Sequence, residues 1–577
     1  MSPRGPGGKG GGFVRQSATS SGAALLAMLS GLLLDVAIAT SFGATKTTDV
    51  FFVAAKIPVA LAALLMTVAT QTLVPAFVRE AAATAAASSA EAAGSRPRDA
   101  HRARGRRGID PLTQFASRVL TAVVAVGLAL WGLAWLTAGP LVFLTAPGLH
   151  GASHDRAAAL IPIVFLLVPL VAAAETVRSA LNASDAFVAP AAMNLFMNAP
   201  AAAVILGWPL VGDLTITVVA WAYVAGAALQ LATITAVAHR GGVRIRLGWP
   251  VGDPRLRQVV TVGRGSLGSS LLNLGNRIVE QAVASQLPSG SITLLSYGNR
   301  LISALGGGVF FRPAVVAMMP RLSRAEHAGD TAAVHRNLVR GLRFILVISV
   351  PLTAFTVALA VPVIRLVFHR GDFTAEAARI LALVLAVYGF SLVGSGVQRI
   401  LLAVFYARQD TSTPLRNTFY GVIVDLVLLL PCLVLAGLWS GGGGSWTETT
   451  GAVVGVAVAF SITQYAIVAH AWVRVRATLP LRWADVRSTV FTLSASSAAA
   501  TGVMMALVHL FGLAREDDLL RLTLLTGVAG AAGAAVLAAG VVPLVRRGGL
   551  RPPRDGAPAR VIDEAAEPAP GQQEVAR

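Results

Sequence analysis

Four ionisable residues lie inside long apolar segments of the chain and are the side chains best suited to chemistry. They are Asp35, Lys56, Glu280 and Arg300, and the sequence around them has the composition of membrane-spanning helices. A charge at such a depth costs several kcal/mol unless it is paired or hydrated. We therefore expect these residues to hold a partner, an ion or a ligand in a polar space.

The same four residues are predicted to lie at one depth. Glu280 and Arg300 are eight and nine residues from the turn between their helices, and Asp35 and Lys56 are each eight residues from theirs. At about 1.5 Å per helical residue, these separations correspond to roughly 12 to 14 Å below the membrane surface. Two interpretations follow. Either an ion pair fixes each hairpin, or Lys56 and Arg300 face a hydrated cavity and receive an anionic group.

The composition identifies the structural class that must position these residues. Of 577 residues, 55% are hydrophobic and only 13% are charged, whereas soluble proteins have about 25% charged residues. The apolar runs, bounded by turns and charges, predict about fourteen transmembrane helices. The predicted fold class is therefore an all-α polytopic membrane protein.

An internal repeat predicts how the helices are arranged. A shift of 245 residues aligns Asp35 with Glu280, Thr48 with Thr293 and Pro75 with Pro320. Because an even number of helices separates the copies, we expect two six-helix lobes that are parallel repeats, followed by two C-terminal helices. The predicted boundaries are an N-lobe at 21–240 with a cytoplasmic insert at 79–112, a C-lobe at 255–476, the final helices at 486–546, and disordered cytoplasmic tails at 1–20 and 551–577.

The positive charge follows the membrane topology. The formal net charge is +19, and arginine concentrates in alternate connections such as "RPRDAHRARGRRG" and "RLSRAEHAGDTAAVHRNLVRGLR". This alternation is typical of the positive-inside rule and predicts that both termini are cytoplasmic. Since no aromatic residues interleave with a basic domain, we expect no nucleic-acid partner.

The sequence offers no pattern for covalent chemistry. It has one cysteine, Cys432, three lysines with none in a G-K-[ST] loop, and no HExxH motif or Cys/His cluster. We predict no enzyme activity, no catalytic residue, no metal site and no cofactor, although a monovalent coupling cation or the membrane potential could drive conformational change. Asp425 is a candidate ligand for such an ion, and a packing role for it stays open.

Several motifs resemble the MurJ/MviN-type lipid II flippases of the multidrug/oligosaccharidyl-lipid/polysaccharide exporter superfamily. They are "SFGATKTTDVFFVAAKIP", "LVPAF", "TAPG", "LPSGSITLLSYGNRL", "MMPRLSR" and "FYARQDTSTP", in that order. The resemblance implies two lobes around a central cavity, and a groove beside the final helices for a lipid tail. It also implies a multi-pass protein of the bacterial plasma membrane that moves an undecaprenyl-pyrophosphate-linked peptidoglycan precursor outward by alternating access.

The buried charges, taken together with this resemblance, give the expected site residues. The expected substrate-binding residues are Lys56, Asn299 and Arg300. Expected ion-pair or coupling residues are Asp35, Asp49, Glu280 and Asp425. Family members usually carry several basic residues in the first two helices, but the aligned positions here are Met28, Leu34, Ala62 and Ala63.

Those apolar replacements keep two other functions open. One is export of a different amphiphile, such as a secondary metabolite or drug, by the same fold. The other is a non-transporting pseudo-flippase that recruits cell-wall synthesis proteins through cytoplasmic loops, for which the arginine-rich stretch 96–107 is a candidate. The expected partners are thus a lipid-linked glycan, the membrane and such cell-wall proteins.

Overall fold

The computed structural model shows an all-helical chain. It describes residues 9–544 except 81, 83–110, 185, 244, 247, 251, 411, 440–445, 515 and 517. Most of the predicted insert 79–112 and the whole predicted tail 551–577 lie outside the described residues. The first helix begins at Lys9, so residues 9–20 of the predicted disordered tail are helical instead.

Nineteen α-helices are described, and they are numbered here in chain order. The first nine are α1 Lys9–Phe42, α2 Lys46–Val68, α3 Pro111–Leu136, α4 Ala138–Thr145, α5 Ala152–Phe165, α6 Leu167–Ala183, α7 Val188–Ala192, α8 Leu195–Gly207 and α9 Ile216–Arg240. The others are α10 Pro254–Ala284, α11 Ser291–Ser303, α12 Arg312–His327, α13 Thr331–Ala358, α14 Ala360–Phe368, α15 Ala375–Ala407, α16 Ser412–Trp439, α17 Trp446–Arg476, α18 Ala484–Leu510 and α19 Leu519–Leu544.

Twelve helical segments in the described ranges are long and apolar enough to cross a membrane. Two further long segments, α10 and the α11–α12 pair, complete the fourteen passes that the sequence predicts, but they are not among those twelve. They carry Arg277, Glu280 and Arg300, together with many serines and asparagines. The most polar passes therefore contain three of the seven predicted site residues, Glu280, Asn299 and Arg300.

The helices pack as two groups that meet along a few elements. Within the first group, α1 packs on α8, α2 on α5, and α3 on α6; within the second, α15 packs on both α13 and α17. The two groups touch through α1, α2 and α4 on one side and α10, α11 and α14 on the other. A continuous cluster of buried apolar side chains runs through both groups.

The second helix of each group is interrupted in the same way. A π-helical segment, Ala69–Leu73, follows α2, and another, Ala304–Phe311, follows α11. Segments of this type are rare and are often found at functional sites. Their equivalent positions are consistent with the predicted internal repeat.

The segment between the two groups is held against α3. The hydroxyl oxygens of Ser117 and Thr121 accept hydrogen bonds from the backbone N–H groups of Arg246 (3.0 Å) and Gly248 (2.9 Å). Asp253 then caps α10, accepting from the Arg255 N–H at 2.9 Å, and pairs with Arg118 of α3 at 2.7 Å. The start of α10 is thereby fixed to the first group of helices.

Two neighbouring guanidinium groups lower the pKa of the Asp253 carboxylate. Arg255 hydrogen-bonds the Asp253 carboxylate, and Arg118 adds a second guanidinium, so the pKa of Asp253 lies well below its usual range. The carboxylate stays ionised throughout the physiological range, and its contribution to stability is lost only as the pH falls through that lowered pKa.

The final helix pair is attached to the second group at both ends. Near the start of α18, Arg343 of α13 donates to the backbone oxygen of Asp485 at 2.7 Å. At the other end, Arg365 of α14 donates to the backbone oxygens of Ala514 (2.8 Å) and Glu516 (3.1 Å). These contacts fix α18 and α19 to the same body as α13 and α14.

Candidate functional site

A cavity of about 680 Å³ lies between the two groups of helices. It is lined by α2 on one side and by α10, α11 and α15 on the other. Four of the seven predicted site residues line it, namely Lys56, Glu280, Asn299 and Arg300. Asp35, Asp49 and Asp425 lie outside its lining, and each is bonded to a residue in or near the cavity wall.

The two walls of the cavity differ in polarity. The α2 wall is formed by Phe52, Ala55, Lys56, Val59, Ala60, Ala63 and Leu64, so Lys56 is its one ionisable residue. The facing wall contains Ser270, Asn273, Arg277, Glu280, Gln281, Ser296, Asn299, Arg300, Ser303 and Arg399. Most of the described polar groups of the cavity therefore belong to α10, α11 and α15.

Asp35 of α1 forms an ion pair with Arg300 of α11, so the pair joins the two groups of helices. The Arg300 guanidinium also lies over the Phe52 ring, 5.3 Å from its centre. The alternative expectation of an ion pair within each hairpin is wrong for Asp35, because its partner is Arg300 and not Lys56. The carboxyl group is buried, with 6% of the residue exposed.

Lys56 has a different environment. Among the described residues it forms no ion pair or hydrogen bond, and it is only partly buried. Its charged neighbours are Glu280, Arg277 and Arg300, which act on it through space. An ammonium group in this position is available to an incoming anion.

Glu280 belongs to a polar cluster that continues behind the cavity wall. The Asn276 side-chain N–H donates to Glu280 at 3.2 Å and to Asp425 at 3.0 Å. The Thr463 hydroxyl donates to the second oxygen of Asp425 at 3.0 Å, while the side-chain oxygen of Asn276 has no partner among the described residues. These oxygen atoms could hold a proton or a small cation, although no group of three or more His, Cys, Asp or Glu residues forms in the described ranges.

Asp49 joins the two groups of helices near the ends of α2 and α11. Its carboxylate accepts hydrogen bonds from the Gly290 N–H (2.6 Å), the Thr293 N–H (2.8 Å) and the Thr293 hydroxyl (2.6 Å). It therefore caps α11 from the opposite group. An anion at a helix N-terminus is stabilised by the free N–H groups and the helix dipole.

Two glycines allow the backbones to approach closely around this cap. Gly290 has φ +91° and a Cβ at this position would lie 2.5 Å from the Ala44 carbonyl oxygen. Gly371 has φ +58°, and a Cβ there would collide with the Thr40 carbonyl oxygen. The neighbouring Asp372 N–H donates to that same oxygen at 2.9 Å. This end of the cavity is closed by direct contact between the two groups.

Asn299 lies beside a charged residue that sequence reasoning undervalued. Its side-chain oxygen accepts from Arg277 at 3.3 Å and from the Ser303 hydroxyl at 3.4 Å. Arg277 and Arg399 were not among the expected site residues, yet both line the cavity. One signal pointed to Arg277, since it lies one helical turn before Glu280.

The positions at which the family usually carries basic residues hold apolar side chains here. Leu34 is buried, with 2% exposed, and Met28 and Ala62 are partly buried. Ala63 lines the cavity. The α1–α2 side thus lacks the charges that the resemblance led us to look for.

Comparisons with known proteins agree with the fold and the motifs. The family model for the lipid II flippase MurJ matches residues 38–514. A lipid II flippase MurJ from Burkholderia cenocepacia is 28% identical over 73% of this chain and 79% of its own length. A probable lipid II flippase MurJ from Rhizobium tropici is 24% identical over 86% of this chain and 87% of its own length.

Solved structures share the architecture. A lipid II flippase MurJ in an inward closed conformation superposes with a TM-score of 0.67 at 18% identity, over 91% of this chain and 99% of the other. An inward-facing multidrug resistance MATE transporter of the MOP superfamily superposes with a TM-score of 0.58 at 14% identity, over 80% of this chain and 94% of the other. The fold is that of non-enzymatic membrane transporters. Because the family match covers most of the sequence and the helices follow the same arrangement, the chain belongs to the MurJ family of lipid II flippases.

Proposed function

We propose that this protein moves lipid II from the inner to the outer leaflet of the bacterial plasma membrane through the cavity between its lobes. The observation that carries the proposal is the position of Lys56, which forms no ion pair among the described residues and lies opposite a polar wall that contains Asn299 and Arg300. A pyrophosphate diester is a compact dianion, and cationic groups with converging N–H donors are what such an anion binds.

Each proposed binding residue supplies a distinct group. Lys56 supplies an ammonium ion, which acts as a point charge. Arg300 supplies a guanidinium group, of which Nη1 is bonded to Asp35 and the other N–H groups are not. The oxygen of the Asn299 side chain is occupied by Arg277, so its NH₂ group is the part available to an acceptor.

Alternating access follows from contacts that join the lobes. The Asp35–Arg300 pair and the Asp49 cap both connect the lobes at or above the level of the cavity. Opening the outer side requires the Asp49 cap to separate. Toward the cytoplasm the cavity is lined by Leu64, Ser270 and Arg399, so the closed end is the outer one if both termini are cytoplasmic. The structure then represents the state that loads from the inner leaflet.

The cycle needs a driving force besides the substrate. We assign coupling to the cluster of Asn276, Glu280, Asp425 and Thr463, which can take up a proton or a monovalent cation. Moving one charge across 100 mV supplies about 2.3 kcal/mol. That energy is sufficient to shift a two-state equilibrium by more than tenfold.

The lipid tail is proposed to occupy a separate apolar space. A second cavity of about 940 Å³ is formed by α13, α15, α17 and α18, and includes Trp472, Trp483 and Met505. Its walls are almost entirely apolar, which suits a polyprenyl chain. Cell-wall synthesis proteins at the cytoplasmic face are proposed as partners, on the basis of the basic connections there.

Export of a different amphiphile is the second candidate function. The apolar α2 wall, with Val59, Ala63 and Leu64, favours it because that surface would accept a hydrophobic cargo. The two functions differ in what Lys56 does. A charged pyrophosphate requires a cation at that position, whereas a neutral amphiphile does not.

Substitution of Lys56 tests the proposal in cells. In cells depleted of the native protein, wild-type and Lys56→Arg chains should restore lipid II exposure on the outer leaflet, and Lys56→Gln should reduce it at least tenfold because the cation is lost. Arg257→Gln, on the exposed cytoplasmic end of α10, is the matched control and should restore exposure fully. Unchanged exposure in depleted cells, or full rescue by Lys56→Gln, would reject the proposal.

A further inference from the structure

The segment between the two groups of helices has one buried face and one exposed face. We propose that its exposed face, formed by Arg246 and Trp249, binds the phosphate and upper acyl chains of an anionic phospholipid on the predicted cytoplasmic side. The segment comprises residues 241–250, of which 244 and 247 lie outside the described residues, and is called the interlobe segment below. Its lipid site is separate from the central cavity and does not depend on the proposed transport function.

The buried face fixes the interlobe segment to the first group of helices. Val243 and Ile245 are buried and belong to an apolar cluster that includes Phe115 of α3. Gly248 lies so close to α3 that a Cβ at this position would be 3.3 Å from the Arg118 backbone nitrogen. The interlobe segment therefore lies along α3 and does not project from it as a free loop.

The contacts with α3 indicate the depth of the interlobe segment. Ser117 and Thr121, which accept its backbone N–H groups, lie five and nine residues inside the apolar span Leu112–Leu136. At about 1.5 Å per residue they are roughly 8 and 14 Å from the end of that span. The whole span is about 38 Å long by the same rise, whereas the hydrocarbon core of a bilayer is about 30 Å thick. The segment therefore lies where the headgroup layer meets the first acyl carbons.

The pairing of the backbone suits this depth. Irregular backbone is tolerated within a membrane only where its polar groups are bonded. The N–H groups of Arg246 and Gly248 are both bonded to hydroxyl groups of α3, at 3.0 and 2.9 Å. In water, solvent could satisfy these N–H groups without any partner from α3.

Helix α3 lies at the edge of the first group of helices. It packs on α5 and α6 and exposes Val126, Leu128 and Leu133. Large apolar side chains exposed along a membrane-spanning helix are covered by acyl chains. The interlobe segment therefore lies against a helix that borders lipid.

The exposed face of the interlobe segment has the residue types that bind lipid headgroups. Trp249 is 79% exposed. Tryptophan is enriched at membrane–water interfaces because its ring is apolar and its indole N–H is polar. Arg246 is also exposed and forms no ion pair within the described ranges. A guanidinium group at this place can bind a phosphate while its aliphatic stem stays among apolar groups.

The charge around this face favours an anionic lipid over a zwitterionic one. Arg240, at the end of α9, is exposed as Arg246 is. The acid nearest in sequence is Asp253, and its carboxylate is already bonded to two other arginines. Basic side chains close to a membrane surface are attracted by anionic headgroups. The complementary occupant is therefore an anionic phospholipid such as phosphatidylglycerol.

A depth measurement tests whether the exposed face lies in lipid. In a Cys432→Ala background, a nitroxide is attached at Trp249→Cys, and the full-length protein is placed in vesicles of phosphatidylcholine and phosphatidylglycerol in equal parts. Oxygen, which concentrates in lipid, should relax this nitroxide more than a water-soluble nickel complex does. Val126→Cys on α3 should behave in the same way, whereas Ala328→Cys, exposed in the turn before α13, should favour nickel. A nickel preference at position 249 would leave this face to a water-soluble partner and overturn the inference.

A lipid titration tests the role of Arg246. Purified full-length protein in neutral detergent is titrated with fluorescent short-chain phosphatidylglycerol or phosphatidylcholine, and binding is followed by anisotropy. The wild type should bind phosphatidylglycerol more tightly. Arg246→Gln should weaken that binding by about fivefold, the effect of one basic residue near an anionic surface, and should leave phosphatidylcholine binding unchanged. Arg246→Lys should retain most of the preference.

A matched variant and a soluble headgroup complete the test. Arg321→Gln, on the exposed surface of α12, should bind both lipids as the wild type does. Undiminished phosphatidylglycerol binding by Arg246→Gln, or an equal loss in Arg321→Gln, would overturn the inference. Displacement of the lipid by glycerol phosphate at a similar concentration would identify a site for soluble anions and would also overturn it. None of these results depends on lipid II transport, so failure here is distinguishable from failure of the proposed function.

Discussion

The ionisable side chains near the bilayer centre are tolerated for different physical reasons. Asp35 and Arg300 neutralise each other across the lobes. Glu280 and Asp425 share the Asn276 amide as a donor. Lys56 and Arg277 have no carboxylate within ion-pair distance in the described ranges and instead face the cavity. Charges of the last kind are stable only if water or an anion solvates them, so their presence argues for a wet, anion-binding chamber.

Substitution of Glu280 tests how its carboxylate affects ligand binding in the cavity. Its carboxylate acts through space on both Lys56 and Arg277, and so it competes with an anionic ligand for their charge. Glu280→Gln should tighten the binding of farnesyl pyrophosphate, a short pyrophosphate lipid, by about threefold to tenfold and slow lipid II transport, because release becomes harder. Equilibrium binding and transport rate are measured on the same purified variant.

A matched acid far from the cavity serves as the control. Glu376 lies in the first turn of α15. The Glu376→Gln variant should bind farnesyl pyrophosphate and transport lipid II as the wild type does. Weaker binding by Glu280→Gln would show that the carboxylate helps to hold the ligand, contrary to this prediction.

Some of these residue roles could be anticipated from the sequence and others could not. The depth of Asp35 and Arg300 follows from the helical rise. Their need for a partner follows from the apolar sequence around them. Their mutual contact could not be predicted, since it depends on how the lobes approach. Arg277 was missed because hydropathy does not distinguish a helix face toward water from one toward a polar cavity.

At the scale of elements, one carboxylate closes the end of the cavity that we propose to be the outer one. Asp49 lies in the first turn of α2 and caps α11 through three hydrogen bonds. Gly290, with φ +91°, precedes the capped helix and lets the two turns touch. The contact joins equivalent hairpins of the two lobes, so it must break whenever the outer side opens.

Weakening this cap should expose the cavity to the outside. The native Cys432 is buried, so a Cys432→Ala background carrying Ser296→Cys places one thiol in the cavity. Asp49→Asn removes the charge and one or two of the three hydrogen bonds, each worth about 1.5–3 kcal/mol. We expect labelling by an external, impermeant thiol reagent to rise at least fivefold.

The control for this experiment is an acid at a helix start with no contact between lobes. Asp155 of α5 is highly exposed and pairs only with the adjacent His154 among the described residues. Asp155→Asn should leave labelling at the wild-type level. Equal labelling of the Asp49→Asn and wild-type proteins would mean that the cap does not hold the outer side closed.

The elements themselves follow from composition more readily than their contacts do. Apolar runs predict most of the passes, because each must satisfy its backbone internally and present an apolar surface to lipid. The same runs predicted the passes formed by α10 and by α11–α12, although these two are not among the twelve segments that are long and apolar enough by composition. The π-helical segments left no recognisable pattern in the sequence.

At the scale of the molecule, the chain forms two lobes that are joined by the segment before α10. The segment between the two groups is fixed to α3 through Ser117, Arg118 and Thr121, and just after α10 the Ser285 hydroxyl accepts a hydrogen bond from the Gly148 N–H of the first group at 3.0 Å. The final helices are tied to the second lobe at Arg343 and Arg365. Motion between the lobes must therefore change the contacts at both ends of α10, while the apolar cavity beside α18 moves with the C-lobe.

The central claim is that this cavity carries lipid II across the membrane by means of its cations. Its most direct test is transport of fluorescent lipid II in proteoliposomes, measured by quenching from outside with a membrane potential imposed. The account predicts transport by the wild type, and at least tenfold slower transport by Lys56→Gln and by Arg277→Gln. Transport at the wild-type rate in both variants, or none above protein-free vesicles in the wild type, would contradict it.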